Sequence, residues 1–436
     1  MSLELLLVAD SDSQLLACQA LARFGSEHEA RITVNAIPRE GTPEAVLRAL
    51  ERIGPVWGLS QPALLADRRL DQFDAIGVYL TGSKLADFRS TYHLSRQSLR
   101  RAVRPLFCGF NGVVLERFEE AIAWRLGYDL ICLNGPRDQA RLELLLRHTP
   151  FSGQRSVLTG LGRNRPVPAA DQRLRRLVFA EQVVMPATAL ERRRLVRILA
   201  RLARRSPEWE LVIKPRVAPH ETTFHTVDTH ISHTLAETLG SPPANLQLNY
   251  APLAELLPES RLLATVSSTA LFDALDLGCK AVVMDDFGLR QDLGTPFFAG
   301  SGLLRSLATA GDLDSLEQGA TADPEWLHWV GYHRDFSPAN LLEAIGQLRQ
   351  APVPRQMRLG QPGYLVNATD LSINQLRRGA ETAIRRGDFK EAVRLLEIAQ
   401  LQRPEHRNIS RRLAAVRHDN RWKLRLALLV SPGFRL

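Results

Sequence analysis

Cysteine is scarce in this 436-residue chain: Cys18, Cys108, Cys132 and Cys279 lie far apart with no CxxC pair. That excludes a zinc ribbon, supplies no disulfide framework, and fits a reducing, cytoplasmic setting. Long apolar runs are missing too. No segment reaches the roughly 18 apolar residues of a membrane-spanning helix, and the opening MSLELLLVADSD has Glu4 where a signal peptide carries a basic region. A basic body is also missing. The chain has 56 Lys and Arg against 47 Asp and Glu, a formal charge of +9, yet residues 371–436 hold fifteen of the bases and six of the acids, leaving residues 1–370 neutral. A protein that grips a nucleic-acid backbone through its main body is basic there, so no nucleic-acid partner is expected for the large domains. Finally, there is no GxSxG elbow, Gly160-Leu161-Gly162 lacks the third glycine of a dinucleotide fingerprint, and Asp286-Phe287-Gly288 has neither a kinase's glycine-rich loop nor an HRD ahead of it.

What remains has ordinary globular composition, 45% hydrophobic and 24% charged, at a length that predicts two or three domains. Residues 1–155 alternate short apolar runs (Leu3–Ala9, Ala30–Ile37, Asp74–Leu80, Arg104–Phe110, Tyr128–Leu133) with amphipathic stretches. Continuous apolar runs separated by helices predict a parallel sheet covered on both faces. A Pro-containing basic stretch, Gly160–Arg176, marks a crossing, and residues 156–355 repeat the rhythm. Their strands are Arg176–Gln182, Trp209–Arg216, Leu262–Ser268 and Lys280–Asp286, with a helix after Ala189 whose apolar face carries Leu190, Leu195, Ile198, Leu199 and Leu202 and whose arginines form a solvated face. The fold class is thus α/β, with two Rossmann-like domains facing a cleft. Residues 371–436 form a basic helical appendage, in which Gly387–Pro404 has the spacings of the second half of a tetratricopeptide repeat. The run from Trp422 to Val430 reads either as a helix packed on the body or as a membrane-surface or partner contact.

Ligands of doubly wound sheets bind at the carboxyl ends of the strands. Lys214, Arg216, His220 and His225 follow one strand of the second domain, and Ser267, Ser268 and Thr269 follow another just before a helix. Hydroxyls and unpaired N–H groups at a helix start suit a phosphate, and simple N-capping by Ser268 is the alternative, the commoner one for such residues taken alone. Lys214, Arg216 and a protonated histidine would neutralise a departing nucleotide phosphate. In the first domain Asp10 and Asp12 follow the first strand, as acceptor-activating bases or as caps of the next helix. Asn134 and Arg137 follow its last strand, on the acceptor side or in a bare turn. Glu181 and Gln182 close the first strand of the second domain, where they would meet the donor's base or ribose. Asp285 and Asp286 border the same edge or simply end a strand. His220, His225, His230 and His233 crowd fourteen residues but match no zinc signature, so no metal is expected.

The pairing of Lys214-Pro215…Pro219-His220 with Ser267-Ser268-Thr269 resembles the HP and SS motifs of bacterial sialyl-, polysialyl- and Kdo transferases, which use CMP-activated sugars. The longer string FAEQVVMP…RRRLVRILARLARRSPEWELVIKPR, with LNGPRD upstream, resembles a bacterial family described only as putative glycosyltransferases. The first resemblance implies the GT-B fold, a histidine that holds or protonates the leaving phosphate, serines that bind it, and a carboxylate of the N-terminal domain as base. By position His220 takes the first role, but it follows proline where the motif's histidine precedes it, which leaves His225 as its rival. The resulting expectation is a metal-independent, cofactor-free, inverting glycosyltransferase. It would take a nucleotide-activated sugar, CMP-nonulosonic acid before UDP- or GDP-sugars, to a glycan or glycolipid acceptor, with residues 371–436 touching a membrane surface or a protein. A nucleotide-sugar epimerase or hydrolase and a non-enzymatic scaffold are the alternatives.

Overall fold

The computed structural model describes residues 2–38, 44–115, 118–147, 151–161, 173–182, 185–218, 230–350, 373–402 and 406–417. Two parallel sheets organise them. The first comprises β1 (Leu3–Ala9), β2 (Ala30–Ala36), β3 (Val56–Trp57), β4 (Ala75–Tyr79), β5 (Leu106–Cys108), β6 (Leu130–Leu133) and β7 (Ser156–Leu158), in the order 3-2-1-4-5-6-7. The second comprises β8 (Leu174–Ala180), β9 (Glu210–Lys214), β10 (Leu246–Leu248), β11 (Ser260–Thr265), β12 (Lys280–Met284) and β13 (Leu304–Arg305), in the order 10-9-8-11-12-13. Strand order therefore reverses once in each sheet, between β1 and β4 and between β8 and β11, as in doubly wound Rossmann-like folds. The α/β expectation holds for both halves.

Central strands are legible because they are buried on both faces. Leu5 to Ala9 are fully covered, with Leu5 in register with Ile32 on one side and Ala75 on the other. Alternate side chains then serve opposite layers. Leu6 and Val8 pack with Phe88 and Tyr92 of α4 (Ser83–Ser98), whereas Leu5, Leu7 and Ala9 pack with Leu15 of α1 (Asp12–Glu27). In the second sheet, α7 (Ala189–Arg205) starts where the Thr188 hydroxyl accepts the Glu191 N–H at 3.2 Å. It buries Leu195, Ile198, Leu199 and Leu202 on Leu177, Phe179 and Leu211, each such side chain contributing about 1.5–3 kcal/mol. Two expectations for this helix fail. Leu190 is 71% exposed because it lies in the first turn, beyond the edge of the sheet, and Arg192 is buried.

The chain crosses between the sheets twice. β7 pairs with β6 and so belongs to the first sheet, just past residue 155. Beyond α12 (Pro324–Val330), α13 (Pro338–Gln350) returns to that sheet and buries Leu341, Ile345 and Leu348 with Leu5 and Leu7; Asn340 Nδ2 donates to Leu158 O at 3.0 Å. Amphipathicity alone does not say which sheet a helix covers, so the sequence division at 155 and 355 assigns both elements to the second unit. Helices α14 (Ile373–Arg386), α15 (Phe389–Gln402) and α16 (Arg407–Arg417) enclose a separate core of Leu376, Ala380, Ala392, Leu396, Ala399, Ile409 and Leu413. Gln375 of α14 bonds Asp87 of α4, which ties this appendage to the first unit. Residues 418–436, including the Trp422–Val430 run, lie outside the described residues. No helix among the described residues is long and apolar enough to cross a membrane.

The two units meet backbone to backbone. Gly135 opens α6 (Pro136–Leu146), and Gly331 ends α12 at φ +98°. A Cβ built on Gly331 would stand 2.1 Å from the Asn134 carbonyl oxygen, and one on Gly160 would stand 2.1 Å from Phe336 O. Leu161 N donates to Gly331 O at 2.9 Å across the same junction. Gly331→Ala combines left-handed strain with a clash and is expected to lower the unfolding free energy in urea by about 3 kcal/mol or more. Gly288→Ala, also at positive φ but with open space around its Cβ, costs about 1 kcal/mol.

Candidate active site at the facing strand ends

At the reversal point of the first sheet, Asp10 follows β1 directly and is 6% exposed. Its Oδ2 pairs with the Lys84 ammonium, from the first turn of α4 after β4. Its Oδ1 is buried without a hydrogen-bond partner among the described residues. Ser11 occupies the position before α1, so Asp10 is not the cap of that helix. Asp12 is the first residue of α1, which is all that is described of it. Lys84 carries no sequence signal of its own; only the parallel pairing of β1 with β4 brings it beside Asp10.

At the reversal point of the second sheet the candidates divide. Gln182 Oε1 accepts from Ser267 N at 2.9 Å and from Thr265 Oγ1 at 3.3 Å, and Nε2 donates to Ser267 Oγ at 3.4 Å. Ser267 is 1% exposed. These two residues therefore satisfy one another, and the hydroxyls that reach solvent here are those of partly exposed Ser268 and exposed Thr269. Ser268 Oγ also accepts the Ala270 N–H at 3.2 Å, just ahead of α10 (Ala270–Asp276), whose N-cap position is Thr269 and not Ser268. Glu181 is occupied as well. Its Oε1 lies 3.0 Å from Arg192, with both side chains buried, and its Oε2 accepts the Arg216 N–H at 3.3 Å. Instead of meeting a ligand, Glu181 fixes the turn that presents the exposed Arg216 side chain. Lys214, the last residue of β9, donates to Pro215 O.

His220 and His225 lie outside the described residues, but both ends of their segment are held. His230 caps α8 (Ile231–Leu239) by accepting the Ser232 N–H on Nδ1 at 3.1 Å, which leaves Nε2 to donate to Val217 O at 3.0 Å. One of the four clustered histidines thus clamps together the described ends of the segment that carries two others.

The carboxyl ends of the two sheets face each other. The loop after β5 reaches the start of α10, where a Cβ on Gly112 would stand 3.9 Å from Thr269 Oγ1. Asn134, expected on the acceptor side, is buried and donates to Gly112 O at 3.1 Å and to Asp138 at 3.2 Å, so it steadies that bridging loop. Arg137 pairs with Asp138 at 3.0 Å and lies 4.8 Å over the Phe297 ring of the second unit. Burial raises the Asp138 carboxyl above the usual range, with Arg137 opposing it, and burial likewise lowers Arg137. The sequence places Asp138 in the same strand-end turn but assigns it no role; an acid in the first turn of a helix after Asn-Gly-Pro is the signal for one.

Arg137 also lines a cavity of about 810 Å³ between the units, with Arg141, Phe297, Trp326 and Trp329. No other strand-end candidate borders it, so this cavity lies beside the crevice between the reversal points and is not part of it. Asp286 is consumed by Ser306 Oγ, Leu307 N and Ala308 N, and Gly288 closes a turn on Asp285 O at 2.8 Å. Asp286 therefore braces the turn after β13, and Asp285 contributes its backbone carbonyl to the turn that ends β12.

A family model described as "Putative glycosyltransferase (DUF6716)" matches residues 5–348. No curated protein sequence matches the chain. Among solved structures it is similar to a UDP-N-acetylglucosamine 2-epimerase-like protein from Listeria monocytogenes, at 15% identity over 81% of this chain and 98% of that one, with a TM-score of 0.49. It is also similar to a glycosyltransferase from Rickettsia africae, at 8% identity over 80% and 98% with a TM-score of 0.49, and to MurG of Acinetobacter baumannii, at 14% over 80% and 100% with a TM-score of 0.44.

Breaking the buried Glu181–Arg192 pair from one side leaves an uncompensated charge. Arg192→Met is expected to cost about 3–5 kcal/mol in thermal unfolding, and adding Glu181→Gln to recover part of that loss. An R192M loss below about 1 kcal/mol would mean the pair does not hold this turn.

Proposed function

This chain belongs to the family described as "Putative glycosyltransferase (DUF6716)", and from that premise we propose that it moves a sugar from a nucleotide-activated donor to a hydroxyl acceptor in the crevice between the reversal points. The observation that carries this reading is the pairing of unlike chemistry across facing strand ends. Among the described residues, a buried carboxylate with one unpartnered oxygen, Asp10, stands on the first sheet, and the hydroxyls of partly exposed Ser268 and exposed Thr269, with the guanidinium of exposed Arg216, stand on the second.

In this mechanism the donor phosphate lies against Ser268 and Thr269, and Lys214 with Arg216 offsets the charge that grows on it as the glycosidic bond breaks. Asp10 Oδ1 takes the acceptor proton while the acceptor oxygen bonds to the anomeric carbon from the opposite side, inverting the centre. Lys84 holds the other oxygen of Asp10 and so aims the free one. His220 or His225 protonates or holds the departing phosphate. Fixed cations do the work a catalytic metal does elsewhere, so no metal or cofactor enters the transfer. A CMP-linked nonulosonic acid is the preferred donor on the motif resemblance alone; the burial of Ser267 leaves only the second serine of that motif to present. The acceptor is a glycan or glycolipid, and the +9 surplus of residues 371–436 holds the enzyme at an anionic membrane surface, where such acceptors lie.

Thermal unfolding with CMP, UDP and GDP tests the donor site. One nucleotide at a hundred times its Kd is expected to add about 2.7 kcal/mol of stability, and Ser268→Ala with Thr269→Ala to remove that gain; no response to any nucleotide would sink the proposal. Asp10→Asn should leave the nucleotide response intact and lower the transfer rate about 10²–10⁴-fold. Release of free or epimerised sugar without acceptor would instead favour a hydrolase or epimerase. Vesicle co-sedimentation checks the tail: the full chain is expected to bind anionic and not neutral vesicles, and equal binding to both would count against a charge-driven contact.

A further inference from the structure

Outside the crevice, His328, His333 and Asp335 bring three ligating atoms within 4.8 Å of one another on the exposed side of the strap that leads from α12 back to the first sheet. We infer that these three residues form a binding site for a divalent transition-metal ion of the zinc class. The donor set, two imidazoles and one carboxylate, suits Zn²⁺, Co²⁺ or Ni²⁺ and not the all-oxygen preference of Ca²⁺ or Mg²⁺. Three protein ligands leave a fourth position to water.

The geometry needs little adjustment. With metal–nitrogen and metal–oxygen bonds near 2.0–2.2 Å, tetrahedral donors stand about 3.3 Å apart, so closing from 4.8 Å takes side-chain rotation alone. His333 Nδ1 already lies 3.3 Å from Asp335 Oδ2, and the His328 and His333 rings sit edge to face with centroids 5.0 Å apart. A surface ion pair joins His333 to Asp335, and packing near the Phe336 ring, with centroids 5.0 Å from His328 and 6.1 Å from His333, brings His328 to the same point.

The backbone beneath the cluster is fixed by the junction between the units. Gly331, at φ +98°, turns the chain so that His333 comes back over His328. Gly331 N donates to His328 O at 3.1 Å, Tyr332 N to Leu327 O at 2.8 Å, and Phe336 N to His333 O at 3.1 Å. Phe336 is pressed against Gly160, so the ligands rest on a scaffold that both units hold in place, as a preorganised site requires. A metal here ties the last turn of α12, whose Trp326 and Trp329 line the inter-unit cavity, to the crossing strap. It takes no part in sugar transfer.

Titration calorimetry of the metal-free full chain with ZnCl₂ provides the test, with Co²⁺ absorption reporting coordination. One zinc per chain and a higher Tm with zinc are expected, both lost in His328→Ala/His333→Ala and weakened in Asp335→Asn, while His233→Ala changes neither. These ligands are exposed, so the variants should unfold at the metal-free temperature of the parent, which separates lost binding from lost folding. Absence of zinc binding overturns the inference. So does binding that persists in the double variant, which would move the metal to the histidines between 220 and 233.

Discussion

Everything that brings chemistry together in this chain depends on how closely two backbones approach. Asn134–Gly135, after the sixth strand of the first sheet, lies directly on Gly331, after the last helix of the second, with no room for a side chain between them. Because each sheet is parallel and doubly wound, the place where it offers loops to a ligand is its carboxyl edge. The glycine junction sets those two edges facing, and the loop after β5, held by Asn134 at Gly112, carries the contact as far as Thr269. A Cβ at the junction would separate them.

Within that frame most charged residues near the crevice hold the scaffold rather than wait for a ligand. Glu181 is held between Arg192 and the Arg216 backbone, Asn134 between Gly112 and Asp138, and Asp286 by the turn after β13. Those bonds satisfy groups whose burial would otherwise be costly. They also fix where the free ends point: Arg216 outward, Arg137 over Phe297, and Asp10 with one oxygen on Lys84 and the other without a partner among the described residues.

How far the sequence could be read follows from the range of each signal. Strands buried on both faces show themselves as unbroken apolar runs, so Leu3–Ala9 appears residue for residue as β1, whereas β3 and β13, two residues each, leave no such pattern. Residues at strand ends could be placed on the correct edge, because edge position depends only on order along the chain. Their partners could not, since Lys84 is seventy-four residues from Asp10 and Gln182 eighty-five from Ser267. The sequence therefore offered both serines as phosphate ligands, and packing withdrew Ser267. It read His230 with its neighbours as one cluster, where a cap on α8 and a bond to Val217 set it apart.

The central claim is that a nucleotide phosphate sits at the turn between β11 and α10, opposite Asp10. Amide hydrogen exchange with and without CMP, UDP or GDP measures this directly. The account predicts that one nucleotide slows exchange at Ser268–Ala270 and at the turn after β9. Protection confined to the cavity beside Arg137 and Phe297, or none with any nucleotide, would contradict it.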